Sequence, residues 1–296
     1  ALCGNGLNPF LDACLDFNVK VIDTRNEQAA SYMADTWGRM TGKIGVVAVS
    51  SGPGHTNALT GLANASWDGG PMLLVSGCSS QRTRGMDNFQ ELDQVGMAAP
   101  VCKYANMVHH VDVIENETNK ALESAITGRP GAVHLTVPAD VFTAEIDESK
   151  LISKNNKVAK VEQNLPGDID LARDAAKMLA EAEKPFIVVG SGAFYSNAGD
   201  AISKFADLTN IPLLSHIWDR GCIDKVIPQY FGITNDELNG AYTKLSEADV
   251  VMTLGARVDY RLNYGRPDLF TKNARWIRVD VEESEVNRTV VPDIGI

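Results

Sequence analysis

The sequence lacks the features that assign a chain to a membrane or to nucleic acid. No run approaches the roughly 18 consecutive apolar residues that a membrane-spanning helix needs, so no membrane span is predicted. Basic residues are scarce, with 27 against 38 acidic residues and a net charge of -11. A surface with this excess repels phosphate groups, which argues against nucleic acid and anionic membranes as partners. A local basic pocket for one anionic small molecule stays compatible with it.

Cysteine is also scarce, with 5 residues scattered along the chain. The number is odd, no two cysteines form a Cys-x-x-Cys pair, and no spacing fits a zinc site. We therefore expect reduced thiols that lie mostly in the core, and a cytoplasmic location. The cysteines are Cys3, Cys14, Cys78, Cys102 and Cys222.

The length of 296 residues predicts two domains. Short β-branched runs alternate with amphipathic stretches in both halves, and the runs lack strict polar alternation, which indicates parallel sheets covered on both faces. The predicted class is therefore α/β, with two doubly wound, mostly parallel sheet domains at 1–148 and 167–296 and a linker at 149–166. Predicted strands are 19–23, 44–50, 71–76, 132–137, 185–190, 211–215, 250–255 and 276–281, and predicted helices are 27–40, 56–66, 171–182 and 201–209.

Ligands of such sheets bind where strands end and helices begin, and two loops of the first half have suitable chemistry. Glu27 starts a predicted helix, where it either stabilises the helix dipole or acts as an acid/base group. The glycine turn at 51–57 (SGPGHTN) either holds an anion at a helix N-terminus or lets a helix pack closely on a strand. The pair His109 and His110 has no acidic partners at metal spacing and is interpreted as solvated.

The second half contains two similar turns. Gly190 and Gly192 follow one predicted strand, and the segment 255–257 (GAR) follows another. Both lie where a nucleotide could bind, but turn glycines of a structural Rossmann-like domain explain them equally well.

Taken together, nine segments resemble a known family, the thiamine diphosphate (ThDP) enzymes of the acetolactate synthase type. This group also contains 2-hydroxyacyl-CoA lyase and oxalyl-CoA decarboxylase. The matches occur in order along nearly the whole chain, which makes them specific as a set. The segments are 25–30 (RNEQAA), 33–35 (MAD), 38–43 (GRMTGK), 51–57 (SGPGHTN), 89–91 (FQE), 128–131 (GRPG), 137–141 (VPADV), 255–261 (GARVDYR) and 278–281 (RVDV).

The resemblance implies that the first domain binds the pyrimidine ring of ThDP. Glu27 matches the family glutamate that hydrogen-bonds the aminopyrimidine and favours its imino tautomer. Pro53 and Asn57 match the turn that lines the pyrimidine end, so the glycine turn is not a phosphate site. Phe89 and Gln90 match the segment beside the reactive carbon, where a partner subunit faces it. His55 either shapes the substrate pocket or fills space.

For the second, central domain the resemblance implies FAD, the ADP part of coenzyme A, or no nucleotide. Candidate contacts are Gly190, Gly192, Arg257, Arg261 and Asp280, with structural ion pairing as the alternative. The family holds the diphosphate through Mg²⁺ on a Gly-Asp-Gly stretch in a third, C-terminal domain. No Gly-Asp-Gly occurs here. We therefore expect that the third domain is absent, that the first domain is truncated at its start, and that these residues alone are inactive.

The implied activity is cleavage or formation of a C–C bond next to a carbonyl, as in the 2-oxo-acid decarboxylation and carboligation of acetolactate synthase. A lyase of 2-hydroxyacyl-CoA or a decarboxylase of oxalyl-CoA is the alternative. Asn26 favours the lyase, while Phe89 stands where oxalyl-CoA decarboxylase has Tyr. A non-catalytic nucleotide-binding module of the same fold is a second alternative. The expected partners are a 2-oxo acid or acyl-CoA substrate and further copies of the chain, in a homodimer or homotetramer with the active site between subunits.

Overall fold

The computed structural model describes residues 1–147, 149, 166–219, 223 and 225–296. It divides the chain into two compact units, Ala1–Val161 and Glu162–Ile296. Each unit has one sheet with parallel pairing throughout, which confirms the predicted α/β class. The linker predicted at 149–166 lies almost entirely outside the described residues. None of the described helices is long and apolar enough to cross a membrane.

The first unit has a 4-stranded sheet in the order β1-β2-β4-β3. Its strands are β1 (Gly45–Val49), β2 (Met72–Cys78), β3 (Tyr104–Met107) and β4 (Ala132–Pro138). Its helices are α1 (Asn8–Asp16), α2 (Glu27–Thr41), α3 (Pro53–Asp68), α4 (Gln94–Ala98), α5 (Ile114–Ile126) and α6 (Ala139–Phe142).

Both faces of this sheet are buried, because successive side chains of a strand point to opposite faces. In β2, Leu73 and Val75 pack into one apolar cluster with Ala121 of α5. Met72 and Leu74 pack into a second cluster, which includes residues of α2 and α3. This double burial explains why the strand reads as a continuous apolar run.

The second unit has a 6-stranded sheet in the order β10-β9-β8-β5-β6-β7, again covered by an apolar cluster on each face. Its strands are β5 (Pro185–Val189), β6 (Leu213–Ser215), β7 (Tyr230–Ile233), β8 (Val250–Leu254), β9 (Arg275–Val279) and β10 (Ile294–Gly295). Its helices are α7 (Ile169–Ala180), α8 (Ser191–Tyr195), α9 (Gly199–Thr209) and α10 (Glu283–Val286).

The strand predicted at 19–23 is wrong. The segment forms no ladder pairing with any described residue, and Val19, Val21 and Ile22 are all exposed. Its backbone hydrogen bonds run to α1 and to the first residue instead: the N–H of Val19 donates to the carbonyl of Cys14 at 2.7 Å, and the amino group of Ala1 donates to the carbonyl of Ile22 at 2.7 Å. Strands β3 and β7, helix α5 and several short helices were not predicted; β3, for example, has only 4 residues and includes the polar Asn106.

Because both faces of the first sheet are buried, we expect its core side chains to contribute strongly to the stability of the first unit. Leu74→Ala removes a fully buried side chain and leaves a cavity, so we expect the free energy of unfolding to fall by about 3 kcal/mol. Leu15→Ala, at a position that is 75% exposed in the same unit, is the matched control and should change it by less than about 0.5 kcal/mol. Urea unfolding followed by circular dichroism measures both, and equal effects would contradict the buried position of Leu74.

Candidate functional site

Glu27 is the first residue of α2, where the partial positive charge of the helix N-terminus stabilises a carboxylate. Asn26 caps the helix, since its side-chain oxygen accepts a hydrogen bond from the backbone N–H of Gln28 at 2.8 Å. The Glu27 residue is only 8% exposed, and its Oε2 accepts a hydrogen bond from Nδ2 of Asn57, on α3, at 3.0 Å. The carboxyl group therefore has a fixed direction inside the first unit.

A tight turn at residues 52–54 places glycine backbone next to the Glu27 carboxyl group. Gly52 has a φ of +59°, and a Cβ there would lie 2.7 Å from both Cβ and the backbone oxygen of Gln90. A Cβ on Gly54 would lie 2.6 Å from Oγ of Ser50 and 3.2 Å from Oε1 of Glu27. Position 52 therefore requires glycine, and a side chain at position 54 would displace Oγ of Ser50 and crowd the Glu27 carboxyl group. Within the described part of the chain, Oε1 of Glu27 accepts no hydrogen bond, so it is available to a ligand.

The Gln94 side chain holds this turn in place. Its Oε1 accepts a hydrogen bond from the backbone N–H of Gly52 at 3.0 Å. Its Nε2 donates to the carbonyl of Gly77, at the end of β2, at 3.3 Å and to Oγ1 of Thr136, on β4, at 3.2 Å. Gln94 is 1% exposed, so the amide acts in a site without competing solvent. Sequence reasoning assigned it no such role, because its partners are 17 and 42 residues away.

Pro53, expected at the pyrimidine end, and Phe89 and Gln90, expected beside the reactive carbon, lie around the same turn. Pro53 is the first residue of α3. Gln90 has a φ of +60°, and its Oε1 accepts a hydrogen bond from Oγ of Ser51 at 3.4 Å. Phe89, next to it, is 72% exposed. The structure thus brings Glu27, Pro53, Asn57 and Gln90 together, while their roles toward a cofactor stay predictions.

His55 lies in the interior of the first unit. Its Nδ1 is 2.9 Å from Oγ of Ser76, and its ring centroid is 4.7 Å from that of His134. Nε2 of His134 is 2.7 Å from Oγ1 of Thr136. Both histidines are fully buried, and burial lowers the pKa of His55 to about 4 and that of His134 well below its usual range. These contacts favour the space-filling alternative for His55.

The candidate nucleotide residues of the second unit have structural partners. A Cβ on Gly190 would lie 2.4 Å from the backbone oxygen of Gly255, and one on Gly192 would lie 2.7 Å from its Cα. These glycines therefore allow two backbone segments to touch. Oδ1 of Asp280 accepts a hydrogen bond from the backbone N–H of Glu282 at 3.0 Å.

Both candidate arginines are ion-paired within this unit. Arg257 lies 3.3 Å from Glu285. Arg261 lies 2.6 Å from Asp219 and 2.8 Å from Asp259. The contacts favour structural ion pairing, and a nucleotide role for these residues stays a prediction.

Within the described part of the chain, the cysteines and His109 form no metal site. Cys3 is exposed and Cys14 buried, whereas Cys78 and Cys102 are half-buried; all four are free thiols. Cys222 lies outside the described residues. The exposed His109 contacts Oε1 of Gln81 through Nδ1 at 2.9 Å. Across the described ranges, no group of three or more His, Cys, Asp and Glu side chains is arranged to hold a metal ion.

Comparison with known proteins covers both units. Residues 1–97 match the family model described as "Thiamine pyrophosphate enzyme, N-terminal TPP binding domain", and residues 172–296 match "Thiamine pyrophosphate enzyme, central domain". The chain is 34% identical to a probable acetolactate synthase large subunit of Methanococcus aeolicus, over 99% of this chain and 49% of the relative. It is 32% identical to a 2-hydroxyacyl-CoA lyase of Arabidopsis thaliana, over 94% and 48% respectively. The chain thus spans about half the length of the curated relatives it matches.

Because His55 and His134 are both buried, we expect the protein to lose stability in mild acid. The unfolded state takes up a proton on His55 as the pH falls below 6.5, whereas the folded state stays neutral down to about 4. The unfolded state therefore binds more protons between these two pH values. As the pH is lowered, the free energy of unfolding decreases, and His55 alone accounts for a decrease of roughly 3 kcal/mol. His134 contributes in the same direction.

Urea unfolding between pH 7 and pH 4 measures this loss. His55→Leu removes one buried imidazole and should flatten the pH dependence. The control His109→Leu removes an exposed imidazole away from the pair and should leave the dependence in place. A His55→Leu variant that folds and loses stability with pH as steeply as the parent protein would contradict the prediction.

Proposed function

Because the chain belongs to the thiamine pyrophosphate enzyme family, we propose that it supplies the pyrimidine-binding and central parts of a ThDP-dependent enzyme. The proposed reaction breaks or forms a C–C bond next to a carbonyl. We propose the reaction type of acetolactate synthase, in which a 2-oxo acid is decarboxylated and the product is then joined to a second carbonyl compound. The likeness to acetolactate synthase large subunits along the chain supports this reaction type.

The observation that carries the proposal is the Glu27 carboxyl group and its surroundings. Asn57 holds one carboxyl oxygen, and the other lies over Gly54, where a Cβ would be 3.2 Å away. The residues present therefore fit an aminopyrimidine ring: Glu27 would hydrogen-bond a ring nitrogen, and Pro53 would contact the ring edge. A carboxyl group at this position would donate a proton to the ring nitrogen and accept it back. ThDP supplies an electron sink for the charge left by C–C bond cleavage.

A second candidate is a lyase of 2-hydroxyacyl-CoA, or a decarboxylase of the oxalyl-CoA type. The likeness to 2-hydroxyacyl-CoA lyases supports it, as does Asn26, which caps α2 directly before Glu27. Phe89 is proposed to face the substrate, and Gln90 is proposed to contact the cofactor beside its reactive carbon. Assays of the full-length protein with pyruvate and with a 2-hydroxyacyl-CoA separate the two reactions.

Several further features are part of the proposal. Mg²⁺ would bind with the diphosphate through residues outside these 296. Glu27 would serve a cofactor held by another copy, in a homodimer or homotetramer. For the central part, FAD, the ADP part of coenzyme A and no nucleotide are the alternatives that the resemblance leaves. The proposed location is the cytoplasm, which the free thiols of the described cysteines support.

Glu27→Gln in the full-length protein tests the proposal. The amide keeps the size of the side chain and removes the acid/base group, so we expect kcat to fall by about 100-fold or more, with folding retained. The matched control is Glu123→Gln, at an exposed position of α5, which should keep the activity of the parent protein. Steady-state kinetics at saturating ThDP, with circular dichroism as the check on folding, measure the effect. Parent-like kcat in Glu27→Gln would refute the role of Glu27.

A further inference from the structure

The second unit contains a buried ion-pair cluster at the ends of β6 and β8. Nη1 of Arg261 donates to Oδ1 of Asp219 at 2.6 Å, and its Nη2 donates to Oδ2 of Asp259 at 2.8 Å. The side chains of Asp219, Asp259 and Arg261 are 8%, 10% and 2% exposed. Water therefore screens these charges little.

The cluster carries an excess of negative charge. One guanidinium faces two carboxylates, which leaves a formal charge of -1 on the three side chains. Burial alone would raise the pKa of Asp259, but the hydrogen bonds and the positive charge of Arg261 together outweigh burial and hold that pKa below its usual value. His216, 3.8 Å from Asp259, adds no compensating charge at neutral pH, because burial lowers its pKa to about 4.

The second oxygen of Asp219 occupies the position of an anion at a helix start. Its Oδ2 accepts a hydrogen bond from the backbone N–H of Ser191, the first residue of α8, at 3.0 Å. In dinucleotide-binding folds, a phosphate oxygen accepts hydrogen bonds from the backbone N–H groups at the N-terminus of the helix that follows the first strand. Here β5 is followed by α8, and the chain's own carboxylate takes this hydrogen bond.

The glycines beside Ser191 do not require a ligand either. Gly190 and Gly192 are explained by the backbone of Gly255, which a Cβ at either position would strike at less than 3.0 Å. The features that suggested a nucleotide site, namely glycines and arginines after the strands, are therefore accounted for by contacts within the unit.

We propose that Asp219 excludes nucleoside diphosphates from the turn after β5, so that this turn binds neither ADP nor FAD. The residues present do not fit a diphosphate group. Asp219 accepts the N–H of Ser191 that a phosphate would use, and it pairs with Arg261, which would otherwise neutralise the phosphate charge. The cluster also places a net negative charge beside the turn. The inference goes beyond the proposed function and holds for either reaction considered above. Its test uses ligand binding, which does not depend on turnover.

The test is titration calorimetry of the full-length protein with ADP, together with the absorbance spectrum of the purified protein. The parent protein should show no flavin absorbance and no ADP binding up to about 1 mM. Asp219→Ser removes the carboxylate and leaves the N–H of Ser191 and Nη1 of Arg261 to a phosphate, while Nη2 of Arg261 keeps its bond to Asp259, so ADP affinity should rise by at least about tenfold. Asp200→Ser removes an exposed, ion-paired aspartate of α9 as the matched control and should leave ADP unbound.

Three results would overturn the proposal: flavin bound to the parent protein, parent ADP binding with a Kd below about 100 µM that Arg261→Met abolishes, or a folded Asp219→Ser variant with no gain in ADP affinity. Asp219→Asn provides a second variant in case serine disturbs folding. Its amide oxygen still accepts from Ser191 but carries no charge, and we expect an ADP affinity between those of the parent and Asp219→Ser. Circular dichroism confirms folding before each titration.

Discussion

In the first unit, β1, β2, β4 and β3 all run in the same direction, which places their carboxyl ends at one edge of the sheet. The loops that leave this edge carry the glycine turn after β1 and the end of β2 at Gly77. The Gln94 amide spans these segments, because a parallel sheet brings them within reach of one side chain. The position of Asn57, and through it the direction of Glu27, depends on this shared edge.

The two units use the same arrangement of strand, glycine turn and helix with opposite results. In the first unit, glycines bring bare backbone beside a carboxyl oxygen of Glu27 that accepts no hydrogen bond within the described residues. In the second unit, the helix start is already occupied by Asp219, and the neighbouring arginine is paired. An acyl-CoA substrate would then need another surface for its ADP part, which links the choice of substrate to a residue far along the chain from Glu27.

The sequence predicted the features that depend on neighbouring residues. The apolar runs of β2 and β8 and the start of α2 at Glu27 depend on local composition, and the structure has all three. The segment 19–23 has the composition of a strand but no paired neighbour, so composition alone misled. Gln94 and the pair Asp219 and Arg261 could not be predicted, because their partners are up to 42 residues away and only the fold brings them together.

The order of strands in the second sheet also has a consequence for how this unit folds. Along the chain, β5 is the first strand of the second unit, but in the sheet it lies between β8 and β6. Its pairing with β8 places Pro185 opposite Val250. Each parallel pair closes a long loop, so chain entropy is lost before the hydrogen bonds of the pair form. The unit should therefore fold more slowly than a helical domain of its size. Until β8 arrives, one edge of β5 stays open to pairing with other chains, which favours aggregation during folding.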